Sequence, residues 1–153
     1  MGNAASWAVP SALNEHPTVE IYYPFWKRNI QVDKEIVPLL KTIWKLGIRT
    51  ENSCQNHDET DRIWVCFSSP TDLTKFFNLL IYYGILGLAK KIFGSGTWFY
   101  RDVVDERDNM HLGNVLFPMS DLDLVMDALS DALADAKRQK QKRRRTIKAH
   151  NLA

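Results

Sequence analysis

The carboxyl-terminal end of the chain carries a concentrated positive charge that sets it apart from everything before it. Residues 137–153 contain eight lysine and arginine side chains and no aspartate or glutamate. The formal net charge of +2 hides this division, because residues 1–136 hold the remaining twelve Lys and Arg against all eighteen Asp and Glu, a balance of −6 with histidine neutral. We therefore expect a single domain over residues 19–136, an irregular arm over residues 1–18 and a basic tail over residues 137–153.

The basic tail is the predicted site of interaction. Clustered Lys and Arg release condensed counterions when they meet a phosphate backbone, which gives salt-sensitive affinity with little preference for base sequence. The same kind of cluster is read as a nuclear address by import receptors. A solvated tail that only aids solubility is the alternative. The residues concerned are Lys137, Arg138, Lys140, Lys142, Arg143, Arg144, Arg145 and Lys148.

The amino terminus matches a lipidation pattern. Met1 and Gly2 are followed by small residues and by Ser6, as in chains that are N-myristoylated on Gly2. One acyl chain anchors a protein only marginally, and a polybasic segment such as the tail would supply the second anchor on an anionic membrane. A short unmodified terminus that begins with small residues is the alternative.

The chemistry-bearing side chains favour neither a metal site nor an active site. Cys54 and His57 are three positions apart, but Cys66 and His111 stand alone, whereas a structural zinc site usually shows two close pairs. Acidic neighbours of His57 disfavour a Cys54 thiolate. The Gly94–Gly96 stretch lacks the rest of a phosphate-binding motif and is read as a turn. We expect no catalytic residue, no metal and no cofactor.

Two short runs combine aromatic and basic side chains, at residues 26–28 and 98–101. Such runs can stack on nucleic-acid bases. Packing of the aromatic rings in the core or at a sheet edge explains them equally well.

Hydrophobic periodicity predicts an α+β domain. A single antiparallel sheet with helices packed on one face and the order β-α-β-β-α-β-β-α is expected, followed by the basic carboxyl-terminal extension. Asp33 is the predicted cap of the first helix and Ser120 that of the last, which consists of good helix formers into the tail. The predicted elements are strand 19–26, helix 33–47, strands 48–54 and 62–68, helix 69–84, strands 97–104 and 114–117, and a final helix from 120.

Part of the sequence resembles a known group of viral proteins. Residues 33–40 followed by Gly47–Gln55 form a helix and then the pattern Gly-Ile-x-Thr-x-x-Ser-Cys-Gln, and Phe117–Asp121 forms a Phe-Pro-x-x-Asp start to the final helix. These features resemble small uncharacterised proteins of phages and large DNA viruses. The resemblance spans roughly residues 33–130, implies a viral source and supplies no activity.

These observations together predict a non-enzymatic viral or virus-like protein. Its tail is expected to bind nucleic acid or a nuclear import receptor, while the globular body makes protein contacts. A location in the host nucleus or cytoplasm, or in the virion, follows. The alternative is a myristoylated peripheral membrane or virion-membrane protein that uses the tail as its second anchor.

Overall fold

A computed structural model describes residues 16–55, 61–107 and 109–152. Within these ranges the elements follow one another as three successive ββα units. The strands are β1 (Thr18–Tyr23), β2 (Arg28–Asp33), β3 (Thr50–Cys54), β4 (Arg62–Phe67), β5 (Phe99–Asp105) and β6 (Met110–Pro118). The α-helices are α1 (Val37–Lys45), α2 (Pro70–Gly94) and α3 (Leu122–Asn151), and short 3₁₀ turns, Lys34–Ile36 and Met119–Asp121, precede α1 and α3.

The strands form two antiparallel sheets. The α+β class is confirmed, but the prediction of a single sheet and of the order β-α-β-β-α-β-β-α is wrong, because β1 and β2 pair with each other as a separate hairpin. The other four strands lie in the order β3-β4-β6-β5. The hairpin was not predicted because its turn lacks the usual residues. Lys27 adopts φ 52°, in the left-handed region where glycine or asparagine is usual.

Strand β4 lies at the centre of the larger sheet and is buried on both faces, as its alternating apolar residues predicted. Ile63, Val65 and Phe67 contribute to the main core. The side chains of α1, α2 and α3 belong to this same core, which places the helices on one face of the sheet. Trp64 and Cys66 point to the opposite face, where they form a second apolar cluster with Cys54, Leu112 and Leu116.

Helix α1 follows the predicted helix closely. Its regular part begins at Val37, and Pro38 occupies the first turn, where the missing N–H costs nothing. Gly47 follows at φ 79° and takes the left-handed position that ends the helix. The predicted side-chain cap is wrong: Asp33 makes no such bond to the helix and instead accepts a hydrogen bond from the Gln55 backbone N–H at 2.7 Å.

Helix α2 begins as predicted, breaks where its end was predicted and then resumes. The Ser69 hydroxyl accepts a hydrogen bond from the Asp72 backbone N–H at 3.1 Å, which caps the first turn. Gly84 was predicted to end the helix, and non-helical Ile85 does break the helix directly after it, but a second helical piece that was not predicted follows and extends α2 to Gly94. Gly84 is needed because a Cβ there would collide with the Leu88 side chain.

Candidate nucleic-acid interface

The amino-terminal end of α3 is held in place by a buried carboxylate. Asp121 is 5% exposed and accepts a hydrogen bond from the Trp98 indole N–H at 2.9 Å. The Lys91 ammonium lies 3.1 Å from its other oxygen. The Trp98 ring stacks on Phe117 with centroids 4.6 Å apart. Asp121 holds the N-cap position, so the prediction of Ser120 as cap is wrong, and the start of the helix is tied to two other elements.

The first half of α3 packs on the core through a narrow stripe. Val125, Ala128, Leu129 and Ala132 are buried at helical spacing. Farther along, Asp135 accepts a hydrogen bond from the Tyr83 hydroxyl of α2 at 2.7 Å. This bond lies directly before the predicted basic tail.

The second half of α3 carries the predicted site residues. All eight cations lie on the helix, and every residue from 136 to 152 is exposed. The segment 137–151 rises about 22 Å at 1.5 Å per residue. Among the described residues, the ion pair that a tail cation makes is Arg138 with Asp135 of the same helix, at 3.5 Å. The carboxylates of the described part of the body therefore leave the other seven tail cations without an ion pair.

The cations are unevenly distributed around the helix. Successive residues turn by about 100°, which places five cations within an arc of roughly 120° centred opposite the buried stripe. We call this group the outer basic face, and it consists of Lys137, Arg138, Arg144, Arg145 and Lys148. Lys140, Lys142 and Arg143 lie on the flanks or on the side that continues the buried stripe. The helix thus presents a defined cationic surface to solvent.

The order of charges along α3 suits its dipole. Asp123 lies in the first turn, while Lys148 and His150 lie in the last. Acidic groups stabilise a helix near its amino end and basic groups near its carboxyl end, by about 0.3–1 kcal/mol each. Like charges three and four positions apart in the tail oppose this by about 0.2–0.5 kcal/mol per pair. A bound polyanion would remove that repulsion.

The cysteine and histidine residues considered as catalytic or metal-binding groups differ from one another in burial and position. Cys66 is 3% exposed, and burial raises the pKa of its thiol to about 12, with Glu51 and Asp105 adding to the effect. It is therefore a thiol at neutral pH, as expected for a core residue. His111 is exposed on β6. His57 lies outside the described residues, so the expectation that Cys54 and His57 form neither a metal site nor an active site stays a prediction.

The two aromatic runs differ in accessibility. Trp98 is buried beneath α3 and is not available to stack on bases, whereas Trp26 is 41% exposed. The Arg28 guanidinium lies 4.8 Å from the centroid of the Trp26 ring. This cation–π contact occupies one face of the ring.

The lipidation prediction falls on a residue outside the described ranges. Gly2 therefore stays a predicted acylation site, and the intact mass of protein made in its natural host tests it. Within the described ranges, none of the helices combines the length and the apolar character needed to cross a membrane.

One grouping escaped the sequence reasoning. His16, Asp33 and Cys54 place a ring nitrogen, a carboxylate oxygen and a thiol within 4.8 Å of one another. Their positions in the sequence are far apart and follow no ligand spacing. Only the pairing of β1 with β2 and the approach of β2 to the end of β3 bring them together.

Comparison with known proteins gives one informative similarity. The chain is 30% identical over an alignment of 93 residues to an uncharacterised protein of Acanthamoeba polyphaga mimivirus, with 54% of this chain and 47% of that protein covered. The chain therefore spans about half the length of this relative. No family model matches, and no solved structure matches significantly. The similarity agrees with the expected resemblance to proteins of large DNA viruses.

Proposed function

We propose that this chain is a non-enzymatic nucleic-acid-binding protein of viral type, in which the outer basic face of α3 lies against the phosphates of a duplex. The observation that carries the proposal is the exposed helical tail, whose cations, apart from Arg138 with Asp135 of the same helix, make no ion pair with the described residues. The mimivirus relative supports the viral part.

The dimensions of the tail suit a duplex groove. A helix with its side chains is about 10–12 Å wide, and the major groove of B-form DNA is about 12 Å wide. Lys137 and Lys148 are about 16 Å apart along the axis, a length over which duplex DNA carries roughly ten phosphate charges. The five cations of the outer basic face can therefore each meet a phosphate.

The charge of the rest of the molecule directs this contact. Residues 1–136 have a balance of −6 and repel phosphate, so an approaching duplex is steered to the end of α3. Because the tail is already helical, less conformational entropy is lost on binding than with an unstructured segment. The expected mode is salt-sensitive and tolerant of sequence.

A matched pair of arginines tests the proposal. Arg145→Gln and Arg143→Gln remove the same charge and keep a good helix former, but Arg145 lies on the outer basic face and Arg143 lies on the opposite side. Duplex affinity is measured by fluorescence anisotropy at several salt concentrations. We expect R145Q to weaken binding more and to reduce the magnitude of the slope of log affinity against log salt by about 0.9.

Two other outcomes would count against it. Equal losses in the two variants would mean that the outer basic face is not the docking surface. Unchanged affinity in both variants would remove the tail from the interaction altogether.

Exposure of the same cluster also suits recognition by a nuclear import receptor. This second function is tested by the location of a fluorescent fusion in cells, with and without residues 137–153. A nuclear signal that needs the tail, in a variant that no longer binds duplex, would favour the import role.

A further inference from the structure

Three potential metal ligands converge where the small hairpin meets the larger sheet. His16 lies two residues before β1, Asp33 ends β2 and Cys54 ends β3. Their nitrogen, oxygen and sulfur donor atoms all lie within 4.8 Å of one another. Each residue comes from a different strand or its flank, so the grouping is a product of the fold.

His16 supplies a second, independent observation. Its Nε2 atom is buried and has no hydrogen-bond partner among the described residues. A buried ring nitrogen left without a partner loses the hydrogen bonds that it makes in water, which is energetically unfavourable. Such atoms are uncommon in native proteins and call for an explanation such as an ion. Nε2 is also one of the two atoms through which a neutral imidazole binds metals.

The other two ligands are held in place by backbone contacts. The Asp33 carboxylate accepts a hydrogen bond from the Gln55 N–H at 2.7 Å. The Gln55 side-chain oxygen in turn accepts one from the Glu35 N–H at 2.9 Å. These bonds join the segment after β2 to the segment after β3. Hydrogen bonds of this kind orient metal ligands and tune their affinity.

We propose that His16, Asp33 and Cys54 bind a divalent ion of the zinc class. Imidazole and thiolate favour Zn²⁺ or Co²⁺ over the hard cations Ca²⁺ and Mg²⁺, which take oxygen ligands. Zinc bonds of about 2.0–2.3 Å in a tetrahedron require donor atoms roughly 3.3–3.6 Å apart, so side-chain rotations that close the gap by about 1 Å complete the site. Binding converts the Cys54 thiol to a thiolate and releases its proton to solvent.

The surroundings leave room for the ion to enter. An open cleft is lined by Pro17, Lys34 and Gln55, each of which directly follows one of the three ligands in sequence, together with Glu35 and Pro38. Three protein ligands leave a fourth position that water can fill from this cleft. The ion would fasten the β1–β2 hairpin to the larger sheet.

Cobalt titration of the metal-free full-length chain tests the site. A Co²⁺ ion bound by a thiolate shows a sulfur-to-metal charge-transfer absorption that oxygen and nitrogen ligands do not give. We expect one equivalent of Co²⁺ to produce this absorption and Zn²⁺ to displace it. Cys54→Ala should abolish the absorption, whereas Cys66→Ala should retain it.

The histidine variants separate this triad from the pair suggested by the sequence. His16→Gln should weaken metal affinity by at least tenfold, while His57→Gln and His111→Gln should leave it within about twofold. Asp33→Asn keeps a hydrogen-bond acceptor for Gln55 and should also weaken affinity by tenfold or more. Far-UV circular dichroism establishes that each variant is folded.

Stability supplies a separate readout. Free Zn²⁺ at 100 times its dissociation constant should raise the Tm of the wild-type chain by roughly 5–10 °C. At the same free Zn²⁺ concentration, the Tm of folded H16Q should rise by about half the wild-type amount or less. The proposal is overturned if wild-type protein gives no thiolate absorption, or if H57Q loses the absorption while H16Q keeps it.

Discussion

The Tyr83 hydroxyl of α2 donates a 2.7 Å hydrogen bond to the Asp135 carboxylate of α3. Asp135 lies one residue after the exposed Ala134 and one turn after the buried Ala132, so the bond marks the place where α3 leaves the body. Its acceptor is a charged carboxylate, and hydrogen bonds to ionised groups are stronger than those between neutral groups. Tyr83 and Asp135 therefore define the base from which the basic tail projects.

Replacing Tyr83 should show how much its hydrogen bond to Asp135 contributes to stability. Tyr83→Phe removes the hydroxyl and should lower the free energy of unfolding by about 0.5–1.5 kcal/mol. The neighbouring change Tyr82→Phe removes a hydroxyl from a side chain that is 76% exposed, and should be close to neutral. Urea unfolding of the two variants measures the difference, and equal stabilities would contradict the role of the bond.

The same bond predicts a dependence on alkaline pH. The hydrogen bond to Asp135 raises the pKa of Tyr83 above its ordinary value of 10.0, and desolvation adds to the effect. The stabilisation is fully present below pH 10, the region of the unfolded pKa, and is lost as pH rises through the higher folded pKa. Wild-type protein should therefore lose more stability than Y83F between pH 9 and the alkaline limit of folding, as followed by thermal unfolding.

Buried Trp98 should contribute more to stability than the exposed Trp26. Trp98→Phe keeps a ring against Phe117 but removes the N–H that bonds to buried Asp121, so we expect a loss of about 1–3 kcal/mol. Trp26→Phe serves as the control, because Trp26 is 41% exposed and should cost less. A larger loss in W26F than in W98F would contradict the anchoring of α3 through Asp121.

The kink in α2 predicts a stabilising substitution. Ile85 adopts φ 53° and ψ −154°, a conformation that is costly for a β-branched residue and easy for glycine, and its side chain is 71% exposed. Ile85→Gly should therefore raise the free energy of unfolding by about 1 kcal/mol. Lys90→Gly, at an exposed helical position of the same helix, should lower it by about the same amount. Destabilisation by both changes would contradict the account of the kink.

The sequence predicted those parts of the fold that depend on local pattern. Residues 62–68 read as a strand buried on both faces, and Ile63 and Trp64 do lie in the two opposite apolar clusters. Leu39, Leu40 and Ile43 at helical spacing marked α1 for the same reason. In both cases one short segment contains the whole signal, because a strand or helix must present its own apolar face to the core.

The errors arise where distant parts of the chain decide the structure. Strand β2 is mostly polar, and it forms because β1 pairs with it across a turn that has no glycine. Gly84 was the predicted helix end, and Ile85 does break the helix there, but the chain resumes a helix to Gly94 in which Leu88 packs closely against Gly84. The His16, Asp33 and Cys54 grouping depends on which strands become neighbours, and no local periodicity encodes that choice.

The dependence of duplex binding on salt, compared between the full chain and a chain ending at Ala136, tests the central claim most directly. The truncation leaves the buried stripe of α3 and Asp135 in place, and urea unfolding establishes that the body is intact. We predict that the full chain binds with a slope of log affinity against log salt of about −4.5, one phosphate for each cation of the outer basic face, and that the truncated chain does not bind measurably. Binding by the truncated chain with the same affinity and slope would contradict the proposal that α3 carries the nucleic-acid interface.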